Sequence, residues 1–219
     1  MISQANQVEP DPAPIPTDPA QQRLVLLQLL RQDPRGSAQR CQHRIEALIQ
    51  ALERSMPADL AAPGAQQQLE GVWELRWSSS RQPYLAVGPW FDNLQLLAPS
   101  QGRAMNLLRL PGPLGSLAGI AVEAAIGIAP PAGQTPSGQR QQRISVRFQR
   151  GGWIGPQLGV GRLQLLRKVQ QSFPAWLDIT LLDDTLRVCR GNAGTLFALL
   201  RRPDLNLQEL LLPTDQTLP

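Results

Sequence analysis

Gly71-Val72-Trp73-Glu74-Leu75-Arg76-Trp77 is the stretch on which the fold turns. Trp73, Leu75 and Trp77 alternate with Glu74 and Arg76, the period-two pattern of a strand with one buried face. Downstream the same period returns. Ile144, Val146 and Phe148 alternate with Arg143, Ser145, Arg147 and Gln149. Ile120, Val122, Ala124, Ile126 and Ile128 share one side of Gly119 to Ile128, with Glu123 opposite. Arg103 to Leu110 and Leu158 to Leu166 are weaker strands. Trp176 to Leu182 and Thr185 to Arg190 join at Asp183-Asp184, and Leu196 to Leu200 closes the series. These are about eight consecutive strands with no long helical pattern between them, which predicts an antiparallel meander. Closing such a meander into a barrel removes its exposed edges, and an eight-stranded barrel has room for side chains or one small ligand.

Upstream of Gly71 the period changes. Asp18-Pro19 is a cap followed by proline in the first turn, and Leu24, Leu27 and Leu30 form an apolar block. Asp33-Pro34-Arg35-Gly36 breaks it. Ser37 then opens a second helix whose stripe is Cys41, Ile45, Leu48, Ile49, Leu52 and Met56. The predicted organisation is a disordered Pro-rich tail over 1–18, a helical hairpin over 19–56, a linker over 57–68, the barrel over 69–201 and a C-terminal tail over 202–219. The fold class is therefore mainly β, a barrel preceded by a helical hairpin.

Composition excludes several chemistries. The 219 residues contain 42% hydrophobic residues, enough for a core, and one histidine, His43, so a multi-histidine metal site is impossible within the chain. The two cysteines, Cys41 and Cys189, exclude a disulfide scaffold and a CxxC zinc ribbon. There is no Walker loop and no GxGxxG at a strand–helix turn. Ser78-Ser79-Ser80 has no visible base to activate it. Leu114 to Ala129 is apolar but only sixteen residues long, with Glu123 near its middle, so it falls short of a membrane-spanning helix. No metal or cofactor is predicted, and the chain reads as no enzyme.

Charge is uneven. Between Asn93 and Leu177, nine basic residues face one acidic residue (9 − 1 = +8), whereas the rest of the chain sums to 12 − 16 = −4. All but one of the basic residues are Arg. An anionic membrane surface, an acidic protein or a nucleic acid would suit such a stretch, although no nucleic-acid-binding module surrounds it. Within it, Gly151-Gly152-Trp153-Ile154-Gly155-Pro156 reads as a Gly-rich loop preceded by Arg150. Either Arg150, Trp153 and Ile154 touch a lipid interface, or Trp153 folds back to plug the barrel. Asp183-Asp184 reads as a turn whose carboxylates cap the backbone, with paired acid–base carboxylates as the alternative. Arg190 shares strand parity with Leu186 and Val188. It is either paired, lying over an aromatic face such as Trp73 or Trp77, or extended to solvent at the strand end.

Two segments resemble a known family. Gly71-Val72-Trp73-Glu74-Leu75-Arg76-Trp77-Ser78-Ser79-Ser80 resembles the opening block of the plastid lipid-associated proteins, also called fibrillins or plastoglobulins. Ile179 to Phe197, with its acidic pair, Leu-Arg, Arg-Gly and Gly before Leu-Phe, is similar to their closing block. Trp77, Ser79 and Ala198 stand where Tyr, Thr and Val are more usual. The resemblance spans about residues 19 to 201. It implies a lipocalin-like barrel in which Trp73 plugs the closed end and a late-strand arginine, matched here by Arg190, lies over it. It also implies association with photosynthetic membranes or lipid globules and the handling of carotenoids or prenylquinones. With no transit peptide in view, the chain looks like a cyanobacterial member; a mature plastid form is the other reading.

The predicted function is non-enzymatic binding of a hydrophobic isoprenoid-type lipid. Trp73, Leu75, Trp77, Ile144, Val146, Phe148 and Arg190 are the predicted ligand-binding residues. The protein would sit peripherally at thylakoid membrane or in the cytoplasm of a cyanobacterium, or in a plastid. The alternatives are a structural coat on a lipid surface and an adaptor for an isoprenoid-pathway enzyme.

Overall fold

The computed structural model describes residues 14–80, 87–112, 115, 117–129, 142–158 and 161–212. Most of the Pro-rich tail (1–13) and the end of the C-terminal segment (213–219) lie outside the described residues, as does Arg140.

Two helices come first among the described residues. In α1 (Pro19–Leu30) the Asp18 carboxylate accepts from the backbone N–H of Ala20 and Gln21, at 3.4 and 3.1 Å, so the proline start and its cap stand where the sequence put them. A short 3-10 turn, Ser37–Cys41, leads into α2 (Gln42–Ser55). Ile45, Leu48, Ile49 and Leu52 of α2 are buried with Leu26, Leu27 and Leu30 of α1. A third helix, α3 (Ala65–Leu69), ends two residues before the first strand.

Nine antiparallel strands follow: β1 (Gly71–Ser78), β2 (Asp92–Ala98), β3 (Arg103–Arg109), β4 (Gly119–Ile128), β5 (Arg143–Leu158), β6 (Gly161–Lys168), β7 (Ala175–Leu182), β8 (Leu186–Gly191) and β9 (Leu196–Arg201). The sheet closes on itself. β1 pairs with both β2 and β9, and β4 pairs with β5, whose first residues pair with β7. Eight strands thus form a ring. β6 stands outside it, paired with the far half of β5 from Arg150 to Leu158. β5 serves two neighbours, β7 and β6, along one edge and β4 along the other because it is about twice the length of an ordinary strand.

The ring has two apolar faces. Inside lie Trp73, Leu75, Leu97, Ile144, Ile179, Cys189, Phe197 and Leu199. Outside, α1 and α2 cover Trp77, Leu186, Val188, Ala198 and Leu200. Leu211 and Leu212, beside α4 (Leu207–Leu210), pack with a second outer cluster of Val72, Leu94, Leu96, Met105, Leu107, Ala121 and Ile154. Burial of a leucine or valine side chain is worth about 1.5–3 kcal/mol, so both coverings are integral to the stability of the ring.

Several features differ from the sequence reading. β2 carries no β-branched or aromatic residue, so its strand signal is weak. The predicted Gly-rich loop is strand: Gly151 to Ile154 pair with β4 on one side and β6 on the other. Within the predicted linker, Leu60 is buried in the cluster that holds Trp73, and its N–H donates to Gln142 Oε1 at 3.0 Å. Residues 202–212 likewise pack down rather than trail.

Candidate functional site, an interior cavity over a tryptophan flanked by arginines

The ring encloses a cavity of about 320 Å³. Its apolar wall includes Leu97, Ala124, Ile126, Ile144, Val146 and Phe148. Small residues make the room: Ala104 and Ala124 stand opposite each other on β3 and β4, and Gly191 lies on β8. Phe173, 59% exposed, and the exposed Asn192 stand on the rim, whereas Ile144, Ile179 and Arg187 are buried. The volume is at the low end for small-molecule sites, which run from about 300 to 1,000 Å³. A wider surface depression lies among the Pro-, Ala- and Gln-rich residues between Pro57 and Gln68, with Leu182 and Arg201.

Trp73 lies in the inner cluster behind Arg187, while Trp176 is the tryptophan on the cavity wall. Trp73 is fully buried, its indole N–H donates to the Leu69 carbonyl at 2.9 Å, and guanidinium groups approach its ring at 4.4 Å (Arg201) and 5.2 Å (Arg187). Arg201 also donates to the carbonyls of Glu70 and Gln68. That close approach explains the glycine of Gly71-x-Trp73. Gly71 has φ of +143°, and a Cβ there would stand 2.5 Å from Arg201 Nη1.

Arg190 is not one of these arginines, which corrects the match drawn from the sequence. It does share a side with Leu186 and Val188, as parity requires, but that side is the outer one under the helices. There it makes a two-point pair with the fully buried Glu53 of α2, at 3.0 and 2.5 Å. Parity orders the residues of a strand but does not say which of two covered faces is inside. Trp77 is corrected for a related reason. A register shift between Leu75 and Trp77 on β1 turns Trp77 away from Trp73 and Leu75 and into the helix-covered cluster. Trp73, Leu75, Ile144 and Val146 do meet in one cluster, and Ile144, Val146 and Phe148 line the cavity.

Arg187 is the residue sequence reasoning passed over. It is wholly buried, lines the cavity, and donates through Nη2 to Gln95 Oε1, while its Nε and Nη1 have no hydrogen-bond partner. Burial pushes its pKa down to about 10. Beside it, burial pushes the Cys189 thiol up, so it stays neutral. The sequence signal was present: Arg187 is separated from Cys189 by one residue and from Leu186 and Val188 by none, so it must take the opposite face from both leucine and valine.

The predicted membrane residues separate. Ile154 is buried in the outer cluster and cannot reach a lipid surface. Arg150 is half-buried and pairs with Glu123. Trp153 is 42% exposed, and a Cβ on Gly155 would collide with its ring, so it lies along the strand and is not a plug. In register with it across β4 and β6 stand Ile120, 56% exposed, and Leu165, 65% exposed. Ile120 shares the face of β4 that carries the cavity-lining Val122, Ala124 and Ile126. The row Ile120–Trp153–Leu165 therefore continues the inner face of the ring out onto the flared β4–β5–β6 apron.

The basic stretch is also largely consumed. Arg103 and Arg150 meet Glu123, Arg109 meets Asp92, and Arg143 pairs with Asp178 at 2.8 Å while lying 3.6 Å from the Trp176 ring centre. Arg147, Arg167 and Lys168 remain exposed. Asp183 is a turn residue: its carboxylate accepts from the N–H groups of Thr185 and Leu186 and from Arg23. Among the described residues, no group of histidine, cysteine or acidic side chains could hold a metal, and no helix is long and apolar enough to cross a membrane.

No curated protein and no solved structure matches the chain. The PAP_fibrillin family model matches residues 20–200, from α1 to the penultimate residue of β9. That span holds both helices, the whole ring and the cavity, and the chain belongs to the PAP_fibrillin family, the plastid lipid-associated proteins.

Proposed function

We propose that this protein is a non-enzymatic, lipocalin-like carrier that takes one end of a hydrophobic lipid, of isoprenoid type, into the ring while resting peripherally on a photosynthetic membrane or lipid globule. The carrying observation is the apolar interior cavity and its continuity, along one face of β4, with the exposed row Ile120–Trp153–Leu165. Removing a chain from water gains about 25 cal/mol per Å² buried, part of which is offset by the cost of ordering it. A cavity of about 320 Å³ suits the head and first part of a chain, with the remainder lying along the apron. Arg167, which shares the face of β6 with Leu165, would meet anionic headgroups beside that row, so membrane attachment weakens as salt rises.

The coat-protein alternative calls for a filled ring, which the cavity disfavours. The adaptor alternative calls for an unoccupied apolar face on the helices; the stripes of α1 and α2 are already spent on the ring. Organic extracts of the protein purified from a photosynthetic host, analysed by mass spectrometry, test the carrier reading. A hydrophobic molecule near one per chain is the expected result. An extract empty of such a molecule, from protein that also fails to take up added lipid, rejects it.

A further inference from the structure

Within the ring, one charged side chain lacks what every other buried charge among the described residues has. Glu53 has Arg190, Asp178 has Arg143, Asp92 has Arg35 and Arg109, and Glu123 has Arg103 and Arg150. Glu74 is ringed by Arg35, Arg76 and Arg202. Arg187 is as deeply buried as any of these, yet no acidic residue lines the cavity it faces, among the described residues. Its contacts are the side-chain amide oxygen of Gln95 and the ring of Trp73. Nε and Nη1 are left without an acceptor, and Arg201 on the far contact of Trp73 adds a second positive charge rather than a counter-charge. A buried cation without a partner is costly, and an arginine guanidinium keeps its charge. Gln95 and Asn106 supply further polar groups on the same wall.

We propose that the cavity selects lipids with a carboxylate at the buried end, the carboxylate lying against Arg187 and the chain leading past Val146 and Phe148 to the rim. This rests on the carrier reading above and narrows its isoprenoid-type lipids to those that end a long apolar chain in a carboxylate. A single guanidinium with the amides of Gln95 and Asn106 on its wall matches a monoanion; a phosphate or diphosphate would bring more negative charge than this wall balances.

The test uses the full chain, stripped of lipid, with oleate and its uncharged methyl ester as probes in a fluorescence-displacement titration. Charge-assisted hydrogen bonds predict that oleate binds about tenfold or more tightly than methyl oleate. Because the site is enclosed, that ratio changes little between low and high salt. In Arg187→Met, oleate falls to the level of methyl oleate while methyl oleate binding persists. Equal affinities for acid and ester in the unaltered chain overturn the carboxylate proposal and leave the cavity reading standing, as does an unchanged preference in Arg187→Met. Failure of both probes to bind, or binding of both untouched by the cavity-filling Ala124→Trp, overturns the cavity reading and this proposal with it. If Arg187→Met does not fold, the acid-to-ester ratio of the unaltered chain decides.

Discussion

Arg187 and Arg190 stand three residues apart on β8 and face opposite sides of the ring. The outer one, Arg190, is matched by a carboxylate from the same chain, Glu53 on α2. The inner one faces a cavity with no acidic wall. Arg187 is fully buried and Arg190 keeps 16% of its side chain exposed, but the larger difference lies in who supplies the negative charge. On the helix side the protein supplies it, and the pair locks α2 to β8. On the cavity side it does not, and a ligand can. Two identical side chains on one strand therefore do different work because one face is closed by the protein and the other is open to a small molecule.

The largest expected effect breaks the outer pair. Arg190→Ala strands Glu53 in the interface, and leaving a buried charge unpaired costs about 3–5 kcal/mol. Arg187→Met strands no carboxylate, so the lipid-free protein should be within about 1 kcal/mol of the original or more stable. Urea unfolding of both variants checks this. Equal losses would mean that Arg187 has a structural partner after all, and the contrast would collapse.

Next in size is a second ion pair between a helix and the ring. Asp183 accepts from Arg23 of α1 at 2.7 and 3.0 Å and from two backbone N–H groups of its own turn. Asp183→Asn should cost about 1.5–3 kcal/mol, the usual range for hydrogen bonds to a charged group, with cavity binding unchanged. A change in oleate affinity without a change in stability would show that the helix side and the cavity side are coupled.

A smaller effect appears with pH. Burial by itself would raise the carboxyls of Glu74 and Asp183, but Arg35, Arg76 and Arg202 around the first, and Arg23 with two N–H donors around the second, hold both below their ordinary values. Unfolded Glu and Asp titrate near about 4.3 and 3.9. Since the folded values are lower, the stability these groups contribute is whole above the unfolded values and is lost as pH falls through the folded ones. Acid titration of the unfolding midpoint should show this decline below about pH 4, and Asp183→Asn should make it shallower.

The smallest effect on stability belongs to the apron. Trp153→Ala should change unfolding by about 0.5 kcal/mol or less, as expected of a partly exposed surface side chain. Its co-sedimentation with anionic vesicles should nevertheless fall several-fold, and Leu165→Ser should act alike. Unchanged vesicle binding in both would remove the apron from the account and leave the cavity untouched.

Much of this was legible in the chain. Gly71-x-Trp73 and the closing block from Ile179 to Phe197 are local patterns, and they carried both the strands and the family. The Asp18-Pro19 helix start and the Asp183 turn were equally readable, because a cap and a turn are decided by a few adjacent residues. The inward set Ile144, Val146 and Phe148 followed from plain alternation. Alternation failed at Trp77, where a single irregularity in β1 flips every later side chain, and at Arg190, where helices make the outer face as apolar as the inner. It also failed at Gly151 to Ile154, whose glycines suggested a loop but lie between two paired strands.

Sequence alone determined the strands, the helices ahead of them, the family and the absence of a multi-histidine metal site, because each depends on residue identity or short-range period. Tertiary structure alone decided which arginine faces the interior, which tryptophan packs beneath it, and where the exposed apolar row runs. Those depend on which of two covered faces a strand turns inward and on where its register shifts, and both are set by contacts between residues far apart in the chain.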